Sequence, residues 1–210
     1  TMQELIKLFE ETTQSKVVSI NTLPTSGSNR RYYRILGEKE TLIGAYGEVI
    51  EENKAFIALS KHFAKQGINV AKLVSVSEDG HYYLQEDLGE ICLFDFIKQG
   101  RETGTFSVDE KTMLKKTFTQ LPKIQFEGAK NLDFSICFPQ AEFNNRTIFW
   151  DLNYFKYNFL RPSGIEFNEE ILENEFEAFA KTLLQEKTNT FLYRDFQSRN
   201  IMIKNGEPYF

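Results

Sequence analysis

The stretch Phe191-Leu192-Tyr193-Arg194-Asp195-Phe196-Gln197-Ser198-Arg199-Asn200-Ile201-Met202-Ile203 decides how this chain is read. An Arg-Asp pair is followed by Asn five positions after the Asp, and apolar residues flank both sides. Phosphoryl transfer needs a hydroxyl held in line with a γ-phosphate, and positive charge to neutralise what develops on the transferring group. An Asp can accept the hydroxyl proton, and an Asn offers a neutral oxygen to Mg²⁺, which prefers hard oxygen ligands. Asp195 is therefore the candidate base and Asn200 the candidate Mg²⁺ ligand. The apolar flanks would anchor the loop while its polar centre faces a cleft. The spacing alone equally suits two ordinary turn residues, so its surroundings have to decide.

Working outward, the hydrophobic pattern alternates between helical and strand-like periods. Leu5, Ile6, Leu8 and Phe9 form the apolar face of a short first helix. Residues 16–23, 31–36 and 41–46 read as strands, the last two separated by a Gly37-Glu38-Lys39-Glu40 turn. Residues 51–66 read as a helix that Gly67 stops. Residues 72–77 and 81–85 form a hairpin pattern around Glu78-Asp79-Gly80. Beyond Gly89 the spacing predicts helices over 91–99, 108–125, 140–160 and 168–186. Strands follow at 190–193, 201–204 and 208–210. The aromatic series Phe149, Trp150, Tyr154, Phe155, Tyr157 and Phe159 is read as core packing between helices. The whole predicts an α+β, two-lobed plan: residues 1–88 as a five-stranded sheet with one main helix, and 89–210 as a mainly helical lobe carrying Asp195.

Three further segments fit a nucleotide site between such lobes. Between the first two strands lies Ser26-Gly27-Ser28-Asn29-Arg30-Arg31, where small residues let backbone amides approach phosphate oxygens and Arg30 or Arg31 adds positive charge. An ordinary polar hairpin would look the same. At the lobe junction, Tyr83-Leu84-Gln85-Glu86-Asp87-Leu88-Gly89 is an apolar strand ending in an acidic pair, expected to be exposed. Glu52 opens the small lobe's helix, where helix-dipole reasons alone favour acidic residues. On the acceptor side, Trp150, Asp151 and Asn153 could stack on and bond a sugar, and Arg199 could steady a phosphate or a substrate carboxylate.

Bulk properties narrow the class. With 210 residues, 41% of them hydrophobic, the chain can bury a sizeable core. A formal net charge of -5 favours neither nucleic acid nor an anionic membrane as partner, and no apolar run approaches the roughly 20 residues that span a bilayer. Cys92 and Cys137 sit in apolar surroundings without metal-ligand spacing, which predicts buried free thiols and a reducing, cytoplasmic setting.

Taken in order, Ser26-Gly27-Ser28-Asn29-Arg30-Arg31-Tyr32-Tyr33-Arg34, Leu84-Gln85-Glu86-Asp87-Leu88-Gly89 and Tyr193-Arg194-Asp195-Phe196-Gln197-Ser198-Arg199-Asn200-Ile201-Met202-Ile203 resemble the aminoglycoside phosphotransferase and choline kinase superfamily. Within it, the chain looks most like bacterial kinases that phosphorylate N-acetylmuramate or N-acetylglucosamine at the anomeric hydroxyl. The resemblance implies a protein-kinase-like fold, ATP and Mg²⁺ as cofactors, Asp195 as base, Asn200 as metal ligand, Glu86 to Leu88 as the adenine-binding hinge, and residues 26–31 as the phosphate loop. Three departures stand out. Tyr193 replaces the usual His, the strand at 41–46 lacks the phosphate-contacting lysine, and the metal-holding Asp is expected just beyond Phe210. The 210 residues are accordingly read as the front part of a longer protein, weakly active alone and able to self-associate through the helical lobe. Aminoglycoside or choline-like acceptors, and a catalytically inactive nucleotide-binding module, are the alternatives.

Overall fold

The computed structural model describes residues 1–24 and 29–210. Helix α1 (Met2–Thr13) precedes β1 (Val17–Thr22), β2 (Arg31–Gly37) and β3 (Thr41–Tyr46); α2 (Ile50–Lys65) then leads to β4 (Leu73–Val76) and β5 (Tyr82–Glu86). These strands form one antiparallel sheet in the order β1-β2-β3-β5-β4. Strand alternation sorts the side chains by face. Tyr33, Ile35, Leu42, Tyr82 and Leu84 bury against Leu5 and Phe9 of α1. A Cβ at Gly44 would fall within 2.9 Å of Leu5 and Ile35 side-chain atoms, so glycine lets α1 seat closely here. On the other face, Tyr83 stacks on Phe56 of α2 with ring centroids 5.0 Å apart.

The way α2 joins the sheet depends on one buried amide. Asn53 is fully buried, and its Nδ2 donates to the carbonyls of Gly47 and Gly80, each at 3.0 Å. It thereby ties the first turn of α2 to the exit of β3 and to the β4–β5 turn. Any side chain at Gly47 would collide with Asn53.

The second lobe holds α3 (Leu93–Phe96), α4 (Lys98–Thr103), α5 (Val108–Pro122), α6 (Asn145–Phe155), α7 (Glu169–Leu183) and the hairpin β6 (Met202–Lys204) with β7 (Glu207–Tyr209). Ser107 and Glu110 form a capping box on α5, and Asn144 and Asn168 cap α6 and α7. Leu93, Ile97, Met113 and Ile201 form its core. No helix among the described residues is long and apolar enough to cross a membrane.

Four expectations need correction. Residues 190–193 form no strand: among the described residues no strand pairs with them, and Phe191 N–H donates to the Gln125 carbonyl at 3.0 Å. The helix expected over 91–99 is broken at Ile97, and Ile91 instead accepts a hydrogen bond from Ile203 in β6. The aromatics after residue 149 are not core. Trp150, Tyr154, Phe155, Tyr157 and Phe159 are all exposed, and Lys156 takes the inward position between α6 and α7, paired with Glu169 and Glu173 at 2.6 and 2.7 Å. Cys92 and Cys137 are free, as expected, but half-buried.

Asn53→Ala removes two hydrogen bonds and takes the donor from the Gly80 carbonyl, while the Gly47 carbonyl keeps its contact with the His81 ring. The substitution is expected to destabilise the small lobe by about 1–3 kcal/mol, read as a lower urea midpoint. A midpoint equal to wild type would show that α2 is held by its apolar face alone.

Candidate active site

Apolar contacts on each side set the loop at 191–200. The Phe191 ring packs edge-on against Phe63 of α2 at 4.7 Å, and Tyr193, Phe196 and Phe210 pack together at 5.4 to 6.2 Å. Burial pushes the Tyr193 phenol up to about 12, and its ring packs against Phe196 and Phe210. Between these anchors, Arg194 and Asp195 have φ of 59° and 39°, the left-handed region that non-glycine residues seldom occupy. The Asp195 carbonyl accepts from Gln197 N–H at 2.8 Å and from Asn200 Nδ2 at 3.1 Å. Asp195 and Asn200 thus share one tight turn, and both side chains are exposed. Because the amide nitrogen of Asn200 is engaged, its Oδ1 is left without a protein donor among the described residues.

The acidic pair at the junction is not free in solvent. Glu86 accepts from Lys204 Nζ at 2.8 Å and from Lys72 N–H at 3.2 Å, while Lys204 also donates to the Asp87 carbonyl at 3.1 Å. Asp87 accepts from Arg34 Nε at 2.8 Å and Nη2 at 3.1 Å, and Arg34 continues to the Gly89 carbonyl and to Glu90. Both carboxylates are half-buried and ion-paired. The expected open acidic edge is therefore a closed ionic clamp, because each side chain meets a cation from a distant element. Next to it, the Leu88 N–H and C=O have no hydrogen-bond partner among the described residues, and they could meet an adenine edge.

The two arginines at the start of β2, Arg30 just before it and Arg31 its first residue, separate onto opposite faces. Arg30 Nη2 donates to the Glu52 carbonyl at 3.0 Å, lies 3.4 Å from the Glu52 carboxylate, and holds its guanidinium 4.9 Å from the Phe56 ring centroid. Arg31 instead lies over Tyr46 at 5.9 Å, on the face that α1 covers. Only Arg30 shares a face with Glu52. Ser26, Gly27 and Ser28 fall outside the described residues.

A cavity of about 500 Å³ opens beside residues 190–194, walled by Glu52, Phe56, Phe138, Trp150, Phe191 and Arg194; Asp195 and Asn200 are not among its lining residues. Asp151 does not line it; both its oxygens accept from Arg194 Nη2, at 2.7 and 2.8 Å. Asn153 is half-buried and also outside the lining. Arg199 stacks on Phe94 of α3 at 3.5 Å, with Arg101 at 3.4 Å from the same ring centroid, which commits its charge to α3 rather than to the cavity. Sequence reading missed Arg34, Lys204 and Arg194. Their only local signal is a charged residue in an otherwise apolar strand or loop, and the partners lie 53, 118 and 43 residues away. Among the described residues, no three His, Cys, Asp or Glu side chains cluster so as to hold a metal ion.

No family model and no curated protein matches the chain. Among solved structures it is similar to APH(2")-IIa in a ternary complex with streptomycin and ATP, at 14% identity and a TM-score of 0.60 over 98% of this chain and 68% of that one. It is also similar to a protein from Haemophilus somnus 129PT named as a fructosamine-3-kinase, at 17% identity and a TM-score of 0.59 over 98% and 69%. A thermostable mutant of aminoglycoside phosphotransferase APH(4)-Ia matches at 12% identity and 0.59 over 97% and 69%. These likenesses establish the two-lobed, kinase-like fold.

The clamp should titrate. Burial pushes the Glu86 carboxyl up, but the hydrogen bonds from Lys204 and Lys72 outweigh it and hold the group below its ordinary value. Its stabilisation is therefore complete above an unfolded value of about 4.3 and is lost as pH falls through the lower folded value. Lys204→Met is expected to be less stable than wild type at neutral pH and to converge with it below about pH 4, in urea midpoints taken against pH. A gap that persists undiminished into acid would show that Glu86 and Lys204 are not coupled.

Proposed function

We propose that this chain carries the nucleotide-binding lobe and catalytic loop of an ATP-dependent phosphotransferase whose acceptor is a hydroxyl of a small molecule, an amino sugar of the N-acetylmuramate or N-acetylglucosamine kind. The observation that carries the reading is the turn in which Asp195 and Asn200 are bonded to each other and exposed together, in a kinase-like fold. The exposed Asp195 carboxylate would take the acceptor's proton as the hydroxyl attacks the γ-phosphate. The unpartnered Oδ1 of Asn200 is a hard oxygen suited to Mg²⁺, which when bound would neutralise charge on the phosphates.

In this reading residues 26–31 cover the phosphates, and Arg30, oriented by Glu52 and Phe56, supplies the cation that β3 lacks. The hinge at Glu86, Asp87 and Leu88 meets the adenine through the open main-chain groups of Leu88. The acceptor would enter beside Trp150, whose exposed indole can stack on a sugar ring. The exposed aromatics of α6 and the following turn are consistent with self-association of the 210-residue chain, and a cytoplasmic setting suits the two free thiols. A second reading, a nucleotide-binding module without turnover, is favoured by the lack of a lysine in β3 and of a multi-carboxylate metal cluster among the described residues.

The test is an ATP-consumption assay with Mg²⁺ and N-acetylmuramate, N-acetylglucosamine, choline or kanamycin as acceptor. Asp195→Asn is expected to lower turnover by about 10²–10⁴-fold while ATP binding, measured by calorimetry, stays near wild type. Wild-type turnover that survives Asp195→Asn unchanged would remove the base assignment. ATP binding with no turnover for any acceptor would favour the second reading.

A further inference from the structure

Arg194 and Asp195 adopt left-handed backbone in succession, a conformation that persists only where the surroundings over-determine it. Downstream, Gln197 and Asn200 fix the Asp195 carbonyl. Upstream, Phe191 and Tyr193 pack into the apolar seam between the lobes. The Arg194 side chain is the remaining restraint. Among the described residues, its only hydrogen bonds go to Asp151 on α6, whose two oxygens it meets at 2.7 and 2.8 Å. Its guanidinium also lies 5.9 Å from the Phe143 ring centroid.

From this we infer that Asp151 is a positioning residue: by holding Arg194 it sets the backbone that aims Asp195, and so couples α6 to the catalytic loop. The inference rests on the phosphotransferase reading for its catalytic consequence, while the tether itself does not. Both partners are about half exposed, at 47% and 49%, so the pair contributes little to global stability. Its effect is local. Trp150, the neighbour of Asp151 on α6, lines the cavity beside the loop. A molecule seated against Trp150 would therefore steady α6, Asp151, Arg194 and Asp195 in turn. This differs from a direct sugar contact by Asp151, because the carboxylate oxygens are already occupied and lie outside the cavity lining.

Four variants of the 210-residue protein test it: Asp151→Ala, Asp151→Glu, Arg194→Ala and the Asp151→Ala/Arg194→Ala double variant. The amides of Gln197 and Asn200, whose acceptors lie within the loop, report its order. In Asp151→Ala their hydrogen exchange is expected to quicken roughly tenfold, with exchange in α5 and the thermal midpoint unchanged. Turnover of ATP with Mg²⁺ and N-acetylglucosamine is expected to fall about 10- to 100-fold with little change in KM for either substrate. The double variant should be no worse than Arg194→Ala alone, and Asp151→Glu should recover part of the loss. Unchanged exchange at Gln197 and Asn200 would overturn the tether, and so would single-variant losses that multiply in the double variant. A raised acceptor KM at constant kcat would overturn it in favour of direct contact. If wild type turns over ATP with none of the four acceptors named above, the phosphotransferase reading gives way to the nucleotide-binding module, and the exchange measurement still decides the tether.

Discussion

Two cores that share no residue, one around Phe9 and Ile35 and the other around Leu93 and Met113, must be held in a single orientation across a connection a few residues long. Glu86 and Asp87 meet that constraint by taking their counter-ions from opposite lobes, Lys204 from β6 and Arg34 from β2. Apolar contact could not do this alone, because hydrophobic attraction has no direction. Charge-assisted hydrogen bonds have both direction and fixed length. The apolar seam of Phe63, Ile68, Ile124, Phe191 and Phe210 supplies adhesion on the far side of the junction. The ionic clamp supplies the angle. Any ligand between the lobes would meet walls whose separation these two contacts set.

Much of this was legible in the chain itself. The small lobe could be read strand by strand because its β-branched and aromatic runs are bounded by turn residues; burial alternates along β2, whereas β3 is covered on both faces, by α1 and by α2. That Asp195 and Asn200 share one turn was legible because it depends on a short, local spacing. The acidic pair of the hinge was not, since Lys204 pairs with Glu86 from 118 residues away and nothing near either residue announces it. Nor was the fate of the aromatics on α6. Helical periodicity counts Tyr154 and Phe155 as core-forming, whereas the inward position belongs to Lys156, buried because Glu169 and Glu173 of α7 neutralise it. Residues 190–193 have strand composition but no strand beside them, and composition cannot supply a partner.

The arginines at the start of β2 show how one position decides a role. Successive residues of a strand point to opposite faces, so Arg30 and Arg31 could not both serve the same cleft. On β3 the residues facing α2 are Ile43 and Ala45, as their register with Gln85 and Tyr83 shows, and neither carries charge. Glu52 therefore takes its cation from the segment before β2. Arginine suits that longer reach: its planar group bonds a carbonyl and a carboxylate while resting on Phe56. In the proposed reading, this places the positive charge and the phosphate-covering residues next to each other in sequence.

In the proposed reading, the same logic governs the turn at Asp195. A carboxylate that takes a proton from a bound hydroxyl must stand clear of protein donors, yet it cannot be free to wander. The loop resolves the conflict by restraining Asp195 through its backbone. Its carbonyl carries two hydrogen bonds, its neighbours Tyr193 and Phe196 are packed, and the preceding Arg194 is anchored to α6. The left-handed φ values are the conformational cost of that arrangement, and the packed aromatics offset it. A side chain exposed by strain in its own backbone is poorly explained as an incidental surface residue, since relaxing the turn would lose nothing that packing requires of the carboxylate. The bond from Asn200 to the Asp195 carbonyl makes the restraint reciprocal: it engages the amide nitrogen and leaves the amide oxygen without a protein donor among the described residues.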